Sequence, residues 1–324
     1  WCAVDVSDQR GDADPGDPRD GYVLAAKGAP EAIVDLCHLP PARGAEIETA
    51  VKAMASRGLR VIAVARGHTM AETLPPRQHD LDFSFVGLIG LADPLRAEAR
   101  AAIEECKRAG IGVAMLTGDY AATAQAIGAA AGLESPGGVL TGPELATLDD
   151  RALAERVREV RIFARILPEQ KLRLVEALKR RGDVVAMTGD GVNDAPALKA
   201  AHIGVAMGAR GSDVAREAAA IVLLDDNFAA LVAAVAQGRR IFDNLRKAMA
   251  FIVAVHIPIA GLALLPIAFG WPLLLFPVHV VFLEMLIDPI CSIVLEAEPA
   301  EPDAMRRPPR RRDEPILALR TLVW

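Results

Sequence analysis

Cysteine is scarce in these 324 residues: only Cys2, Cys37, Cys106 and Cys291 occur, without a CxxC pair or zinc-type spacing. That excludes a disulfide framework and a thiolate zinc site, and it reads as reduced thiols in a cytosol-facing protein. A basic stripe with interleaved aromatics is also missing, and the formal net charge is −6, from 42 acidic against 36 basic residues. Nucleic acid is therefore excluded as a partner. The chain opens WCAVDVSDQR, with no initiator methionine, basic n-region or apolar h-region, so no secretory signal peptide is expected. It closes at Val323 and Trp324 soon after a charged tail, and both ends read as cut from something longer.

Charge is missing altogether from 248–269, which holds no Asp, Glu, Lys or Arg. About twenty such residues span a hydrocarbon core of ~30 Å. A second apolar stretch, 273–295, follows the turn Gly270, Trp271, Pro272. Arg239, Arg240, Arg246 and Lys247 precede the pair, and Arg306, Arg307, Arg310, Arg311 and Arg312 follow it. Cations at both ends predict a transmembrane helical hairpin with both ends cytoplasmic, in an integral membrane protein of the cell membrane. Two buried core helices are the alternative, but the runs are long for that and their basic flanks one-sided.

The remainder is globular in composition, with 52% hydrophobic and 24% charged residues overall, and long enough for two domains or more. QRGDADPGDPRD at 9–20 is a polar surface loop. A strand at 22–26 runs into KGAPE (27–31), a helical turn or two follows at 31–37, a helix at 47–57 stops at Gly58, and LRVIAVA at 59–65 is a strong strand. Residues 68–81, with Pro75 and Pro76, form a linker, and a new domain starts at Asp82. From there strands at 83–91, 111–116, 161–164, 184–187, 203–206 and 221–224 alternate with helices at 94–109, 121–131, 168–181, 195–201 and 213–219, interrupted by a glycine-rich break after 131. This order predicts an α/β fold, a parallel sheet with helices on both faces and its ligand loops on one edge. The expected organisation is 1–81, 82–238, the hairpin 239–297 and a charged cytosolic tail 298–324.

The chemistry concentrates in MTGDGVNDAPALK, 187–199, at the carboxyl end of a strand, where α/β sheets keep their ligands. Asp190 and Asp194 offer the hard oxygens that suit magnesium, which takes one or two protein carboxylates and completes its shell with water and phosphate. Asn193 can donate to a phosphoryl oxygen, while Gly189 and Gly191 let the backbone approach closely. MLTGD at 115–119 repeats the pattern, with Thr117 and the amides behind it able to hold phosphate at a helix N-terminus. Alone, Thr-Gly-Asp is most often a cap; its recurrence at 188–190 raises it. In FARILPEQK (163–171), Lys171 in the first turn of a helix can reach a phosphate as a point charge, although most helical lysines are solvated. In the second apolar stretch, Glu284 and Asp288 are one turn apart on one face, and a charge at mid-bilayer costs about 2.5–3.5 kcal/mol on insertion scales. The pair implies a bound cation, a shared proton or a polar partner helix, with His256 and the break at Pro258 completing the site.

KGAPE, LADPLR (91–96), MLTGD, FARILPEQK and MTGDGVNDAPALK, in that order, resemble the haloacid-dehalogenase-like phosphorylation domain of the cation-translocating P-type ATPases, in the branch of the calcium and sodium/potassium pumps. The resemblance runs from about 22 to 309. It implies a partial α+β nucleotide-binding domain at 1–81, ATP and Mg2+ as cofactors, and partners in ATP, a transported cation, the lipid bilayer and an amino-terminal half of the pump outside this chain. By the same resemblance, Lys27 and Gly28 line an adenosine pocket and Arg60 contacts the ATP phosphates. Asp93 and Arg96 lie near the nucleotide, as do Thr117, Gly118 and Asp119. Thr117, Lys171 and Asn193 hold the transferred phosphoryl group, Asp190 binds magnesium, and Asp194 supports its loop. Glu284, Asp288 and His256 are the implied ligands of the transported cation.

The departures matter equally. No DKTGT segment, which carries the phosphorylated aspartate of these pumps, occurs in the 324 residues, and no TGES-type dephosphorylation loop does. A truncated pump, inactive alone, is the leading expectation. A haloacid-dehalogenase-like phosphatase and a nucleotide-binding pseudoenzyme that regulates a membrane partner are the alternatives. Aligned on FDNLRK and RRPPR, Asp288 falls on an aspartate ligand of calcium pumps. Glu284 and His256 then stand in for amides and Ile259 for a glutamate, so calcium, a monovalent cation and a proton all stay open.

Overall fold

The computed structural model describes residues 2–5, 22–69, 75–311 and 314–316, and the side chains at 2–5, 22, 288, 291 and 292 lie outside that description. The loop expected at 9–20 lies outside it too. The chain divides into two compact units, Trp1–Arg100 with Ala114–Val222, and Ala101–Val113 with Leu223–Trp324.

In the first unit, β1 (Cys2–Asp5), β2 (Tyr22–Gly28), β3 (Arg60–Thr69) and β4 (Phe83–Leu91) form an antiparallel sheet in that order. Two helices, α1 (Pro30–Leu36) and α2 (Pro41–Ala55), each begin with proline at the first position, where its missing N–H has no partner to lose. Leu24, Ala26, Ile33, Leu36, Ala63, Ala65 and Phe83 make one core of sheet and helix. The position of β4 corrects the expectation that 83–91 opens the parallel sheet: it pairs antiparallel with β3, from Arg60 opposite Leu91 to Gly67 opposite Phe83. A strand inside a helix-covered parallel sheet is buried on both faces. In β4, Phe83 is buried whereas Val86 is 64% exposed, and one wet face suits an antiparallel edge.

After α3 (Ala97–Arg108) come β5 (Met115–Leu116), α4 (Ala121–Ala130), β6 (Val139–Thr141), α5 (Gly142–Thr147), α6 (Asp150–Glu159), β7 (Ile162–Ala164), α7 (Pro168–Arg180), β8 (Ala186–Gly189), α8 (Ala195–Ala200), β9 (Ile203–Met207), α9 (Asp213–Ala218) and β10 (Ile221–Leu223). The expected parallel pairing is present for β5 with β7, β6 with β7 and β8 with β9, and among the described residues these strands lie in two sheets of three, β5-β7-β6 and β10-β9-β8. Among the described residues β5 and β8 each have a strand on one side only. The glycine-rich break holds three elements missed in the sequence. One is the three-residue β6, too short for a periodic signal. The others are α5, with Thr141 and Glu144 bonded at its start, and α6, with Asp149 accepting from the Ala152 amide at 2.7 Å.

Helix α7 serves both sheets. Its Leu174 packs with Leu145, Leu153, Val157 and Phe163, while Val175 packs with Val185, Met187, Ala197 and Leu198. Successive residues thus face two cores. On its outer side Arg180 Nη1 meets Asp150 Oδ2 at 2.5 Å and Arg173 Nη2 meets Asp150 Oδ1 at 3.2 Å. Arg180 first and Arg173 second hold the Asp150 carboxyl below the usual carboxylate range. The folded value is the lower one, so this contribution to stability is present above the unfolded value of about 3.9 and lost as pH falls through the folded value. Asp150→Asn should therefore lower the urea midpoint at neutral pH, with the gap from the unchanged protein closing as the titration reaches the acid limb. A gap independent of pH would refute this assignment.

In the second unit, α10 (Phe228–Phe269) is one 42-residue helix, capped by Asn227 Oδ1 accepting from the Ala229 amide at 2.9 Å and containing Pro258 and Pro266. The uncharged run at 248–269 is its distal half. Helix α11 (Pro277–Glu296) follows and contains Pro289. Among the described residues α10 alone is long and apolar enough to cross a membrane, with a shorter apolar stretch at Pro277–Ile287 in α11. Large apolar side chains on both helices face outward, Ile267 at 70% and Val278 at 76% exposure, which a soluble core helix does not show.

Candidate functional site

Two turns at the carboxyl ends of β5 and β7 are stitched together. The Thr117 amide donates to the Phe163 carbonyl at 2.9 Å, the Ile166 amide to the Thr117 carbonyl at 3.1 Å, and the Arg165 amide to the Asp119 carbonyl at 3.2 Å. Within the first turn, Thr117 Oγ1 accepts from the Asp119 amide at 3.1 Å and donates to Asp119 Oδ2 at 3.1 Å. Thr117 is thus held at the strand end by its neighbour's carboxylate, while Gly118 between them is exposed. Arg60 Nε lies 3.4 Å from Asp119 Oδ1, so the expected phosphate-contacting arginine and the Thr-Gly-Asp turn do meet.

Sequence reasoning gave no role to Arg165, Glu31 or Tyr120. Arg165 has φ +53°, pairs with Glu31 of KGAPE and lies 4.8 Å over the Tyr120 ring. The available signal was an arginine directly behind a strand end, in the same FARILPEQK segment as Lys171. By contrast, Asp93 and Arg96 are exposed on the segment 92–96, and Lys27 is exposed next to Gly28 at the end of β2. No described hydrogen bond or ion pair joins Lys27 or Asp93 to the other expected residues.

The second centre is the loop after β8. Lys171, in the first turn of α7, reaches across so that its Nζ lies 2.6 Å from Asp194 Oδ1. Asp194 is 6% exposed, and its other oxygen accepts from the Gly191 amide at 3.3 Å. A Cβ at Gly189 would stand 2.6 Å from the Asp194 Cβ, so only glycine lets the carboxylate pack against the strand end. Asp190 and Asn193 are instead exposed, and Asp190 is fixed through its backbone carbonyl, which accepts from the Ser212 amide at 2.8 Å. The Asp190 carboxylate has no protein partner among the described residues. One aspartate is therefore structural, and the other presents solvent-facing carboxylate oxygens, hard donors of a kind that fits magnesium.

In the helical hairpin His256 faces Glu284, with Nε2 3.0 Å from Oε1 and 3.2 Å from Oε2. His256 Nδ1 lies 2.7 Å from the Ile252 carbonyl. A carbonyl only accepts, so Nδ1 carries a proton, and the contact at Nε2 needs one more between the imidazole and the carboxyl. The Asp288 side chain lies outside the described residues. Cys37 and Cys106 are free, and burial pushes both thiols up, which excludes either as a poised nucleophile.

The haloacid dehalogenase-like hydrolase model matches residues 32–202, and the model of the cation transporting ATPase C-terminus matches 272–324. Probable cation-transporting ATPase F of Mycobacterium tuberculosis (strain ATCC 25618 / H37Rv) is 44% identical over 319 residues, 92% of this chain and 35% of that protein. Cation-transporting ATPase pma1 of Synechocystis sp. is 40% identical over 94% of this chain and 35% of its own length. A calcium-transporting ATPase of Bacillus subtilis is 41% identical over 87% and 32%. The chain spans about a third of the length of these relatives. With its strand-end loops and its carboxyl-terminal match to the cation-transporting ATPases, the chain belongs to the haloacid dehalogenase-like hydrolase family.

Proposed function

We propose that the complete protein is a cation-translocating P-type ATPase of a cell membrane. This chain contributes the rear of the nucleotide domain, here extended through β4 to residue 91, most of the phosphorylation domain, one transmembrane hairpin and a cytosolic tail (298–324). The observation that carries the reading is the union, in one chain, of the Lys171 and Asp194 pair beside a free Asp190 with a hairpin whose exposed apolar helices bring His256 to Glu284.

The residue roles are part of the same proposal. Thr117, Lys171 and Asn193 hold the transferred phosphoryl group, and Asp194 keeps Lys171 extended towards it. Asp190 holds magnesium, which when bound neutralises phosphate charge. Lys27 and Gly28 line the adenosine side, Arg60 meets the phosphates, and Asp93 and Arg96 approach the nucleotide. Glu284, His256 and Asp288 take the cation. The aspartate that accepts the phosphoryl group is not among the 324 residues. Both β5 and β8 carry Thr-Gly-Asp at their carboxyl ends and among the described residues are each paired on one side, so a parallel strand joining them would present its own terminal residue between Thr117 and Asp190. The acceptor aspartate belongs at that position.

The test is phosphorylation of the full-length protein by radiolabelled ATP, with calcium, sodium, potassium and pH varied in turn. A hydroxylamine-labile phosphoenzyme that forms only with one cation is expected, and Glu284→Gln and Asp288→Asn should each raise the concentration of that cation required. The purified 324-residue chain should bind nucleotide without turnover. Steady magnesium-dependent hydrolysis by this chain, or nucleotide binding by the full-length protein with no phosphoenzyme, would sink the proposal.

A further inference from the structure

His256 is held in one tautomer by its own helix. Its Nδ1 lies 2.7 Å from the Ile252 carbonyl, one turn back along α10, so the Nδ1 proton points at that carbonyl and Nε2 is left to face α11. A histidine that ligates a metal is set in this way: its second ring nitrogen is tied to a carbonyl or carboxylate, which fixes the ring and aims the ligating nitrogen. A histidine that only links two helices works in either tautomer. Opposite Nε2 stands the Glu284 carboxylate, with Oε1 at 3.0 Å and Oε2 at 3.2 Å. Two donors that each lie about 2.1 Å from a metal, at a right angle there, are about 3.0 Å apart. The spacing is that of neighbouring ligands on one small divalent ion, and without the ion a proton spans the same gap.

Further donors have a way in. Glu284 lines an open groove with Val280, Val281, Met285 and Pro289, so one side of the carboxylate is accessible. Because Pro289 has no amide, the Met285 carbonyl is spared its usual helical bond and is available to a cation. The donor set then decides the class of ion. Hard calcium and magnesium are held by oxygen, whereas an imidazole nitrogen suits the borderline first-row divalent ions and sulfur the soft copper(I). Charge decides the valence. Asp288 follows Glu284 by one helical turn in α11, and two carboxylates with a neutral imidazole balance a divalent ion. A monovalent ion would leave a negative charge in the apolar layer.

We infer that the cation taken by this hairpin is a first-row divalent metal ion between manganese and zinc, with His256 Nε2 as a direct ligand and as the group that sets the selectivity. The inference rests on the pump reading above and narrows it, since the ion is open there. The incoming metal takes the place of the proton between Nε2 and Glu284, which leaves to solvent, and the Ile252 carbonyl keeps the ring in position throughout. An amide at the same place would offer oxygen and suit calcium; the imidazole turns the site away from it.

The experiment uses the full-length protein in membranes, with magnesium in excess so that Asp190 is occupied, and compares it with His256→Gln. The first readout is the half-saturating concentration of manganese, cobalt, zinc and calcium, each supplied alone, for phosphoenzyme formation from ATP. At least one of the first three should act at a concentration about tenfold or more below that of calcium. In His256→Gln that metal should be needed at about tenfold or more higher concentration, while the requirement for calcium stays within about twofold. The second readout is independent of turnover. Manganese bound at less than one ion per protein should show a directly coordinated nitrogen in its electron spin echo, and His256→Gln should abolish it; a magnesium site built on Asp190 oxygens gives no such signal. If His256→Gln loses phosphorylation by inorganic phosphate, and so does not fold, the nitrogen signal of the unchanged protein still decides, and its absence overturns the assignment. A phosphoenzyme that forms best with calcium, sodium or potassium, or an equal loss for calcium and the other metals in His256→Gln, also overturns it and leaves the pump reading intact. If no cation supports a phosphoenzyme, the pump reading falls first and this inference with it.

Discussion

Replacing Lys171 with methionine is expected to lower the unfolding free energy of the first unit by about 3–5 kcal/mol, because it leaves the Asp194 carboxylate buried with no counter-charge. The side chains are 18% and 9% exposed, so solvent does little to replace the lost partner. The second variant is the informative one. Lys171→Met with Asp194→Asn removes the stranded charge, and most of the lost stability should return, although phosphoenzyme formation in the full-length protein should not. Urea unfolding of the two variants decides the matter. A single variant that loses less than about 1 kcal/mol would show the pair to behave like an exposed one.

Leu174→Ala should cost about 2–5 kcal/mol, the range for emptying a buried leucine site. Leu174 is 2% exposed and sits among the buried Leu145, Leu153, Val157 and Phe163. Its neighbour gives the control. Val175→Ala opens the other core, so hydrogen exchange should quicken around β8 and α8 in that variant but around α6 and β7 in Leu174→Ala. Identical exchange patterns would mean that α7 does not divide its faces between two sheets.

The loops were legible in the sequence because their information is local. Thr117, Asp190, Asn193 and Asp194 each sit in a short polar turn directly behind a short apolar run, and that order is visible without knowing which strands pair. Sheet membership was not legible, because pairing is decided by distant residues. Phe83 to Leu91 read as a strand in either sheet, and only its register with β3 assigns it. The division of the parallel strands into two sheets was invisible for the same reason. Arg165 escaped because its partners, Glu31 and Tyr120, come from distant parts of the chain. Helix α10 was half legible: the uncharged run marked its distal half, while residues 228–247 mix apolar residues with Arg239, Arg240, Asp243, Arg246 and Lys247 and gave no sign that both halves are one helix.

That continuity has a mechanical consequence. At 1.5 Å per residue, the 42 residues of α10 make a rod of about 63 Å, but its stiffness is uneven. The proximal part up to Lys247 contains no proline and is braced along its side by the bonds of Arg240, Asn244 and Lys247 to Glu298, so it resists bending and twisting. Pro258 and Pro266 lack the amides that would bond the carbonyls of Ala254 and Leu262, which softens the distal part around the His256 and Glu284 contact. Under a load the compliant distal part deforms more than the stiff proximal part, so bending of α10 concentrates near Pro258 and Pro266, beside the His256 and Glu284 contact, and little of it reaches the half before Lys247.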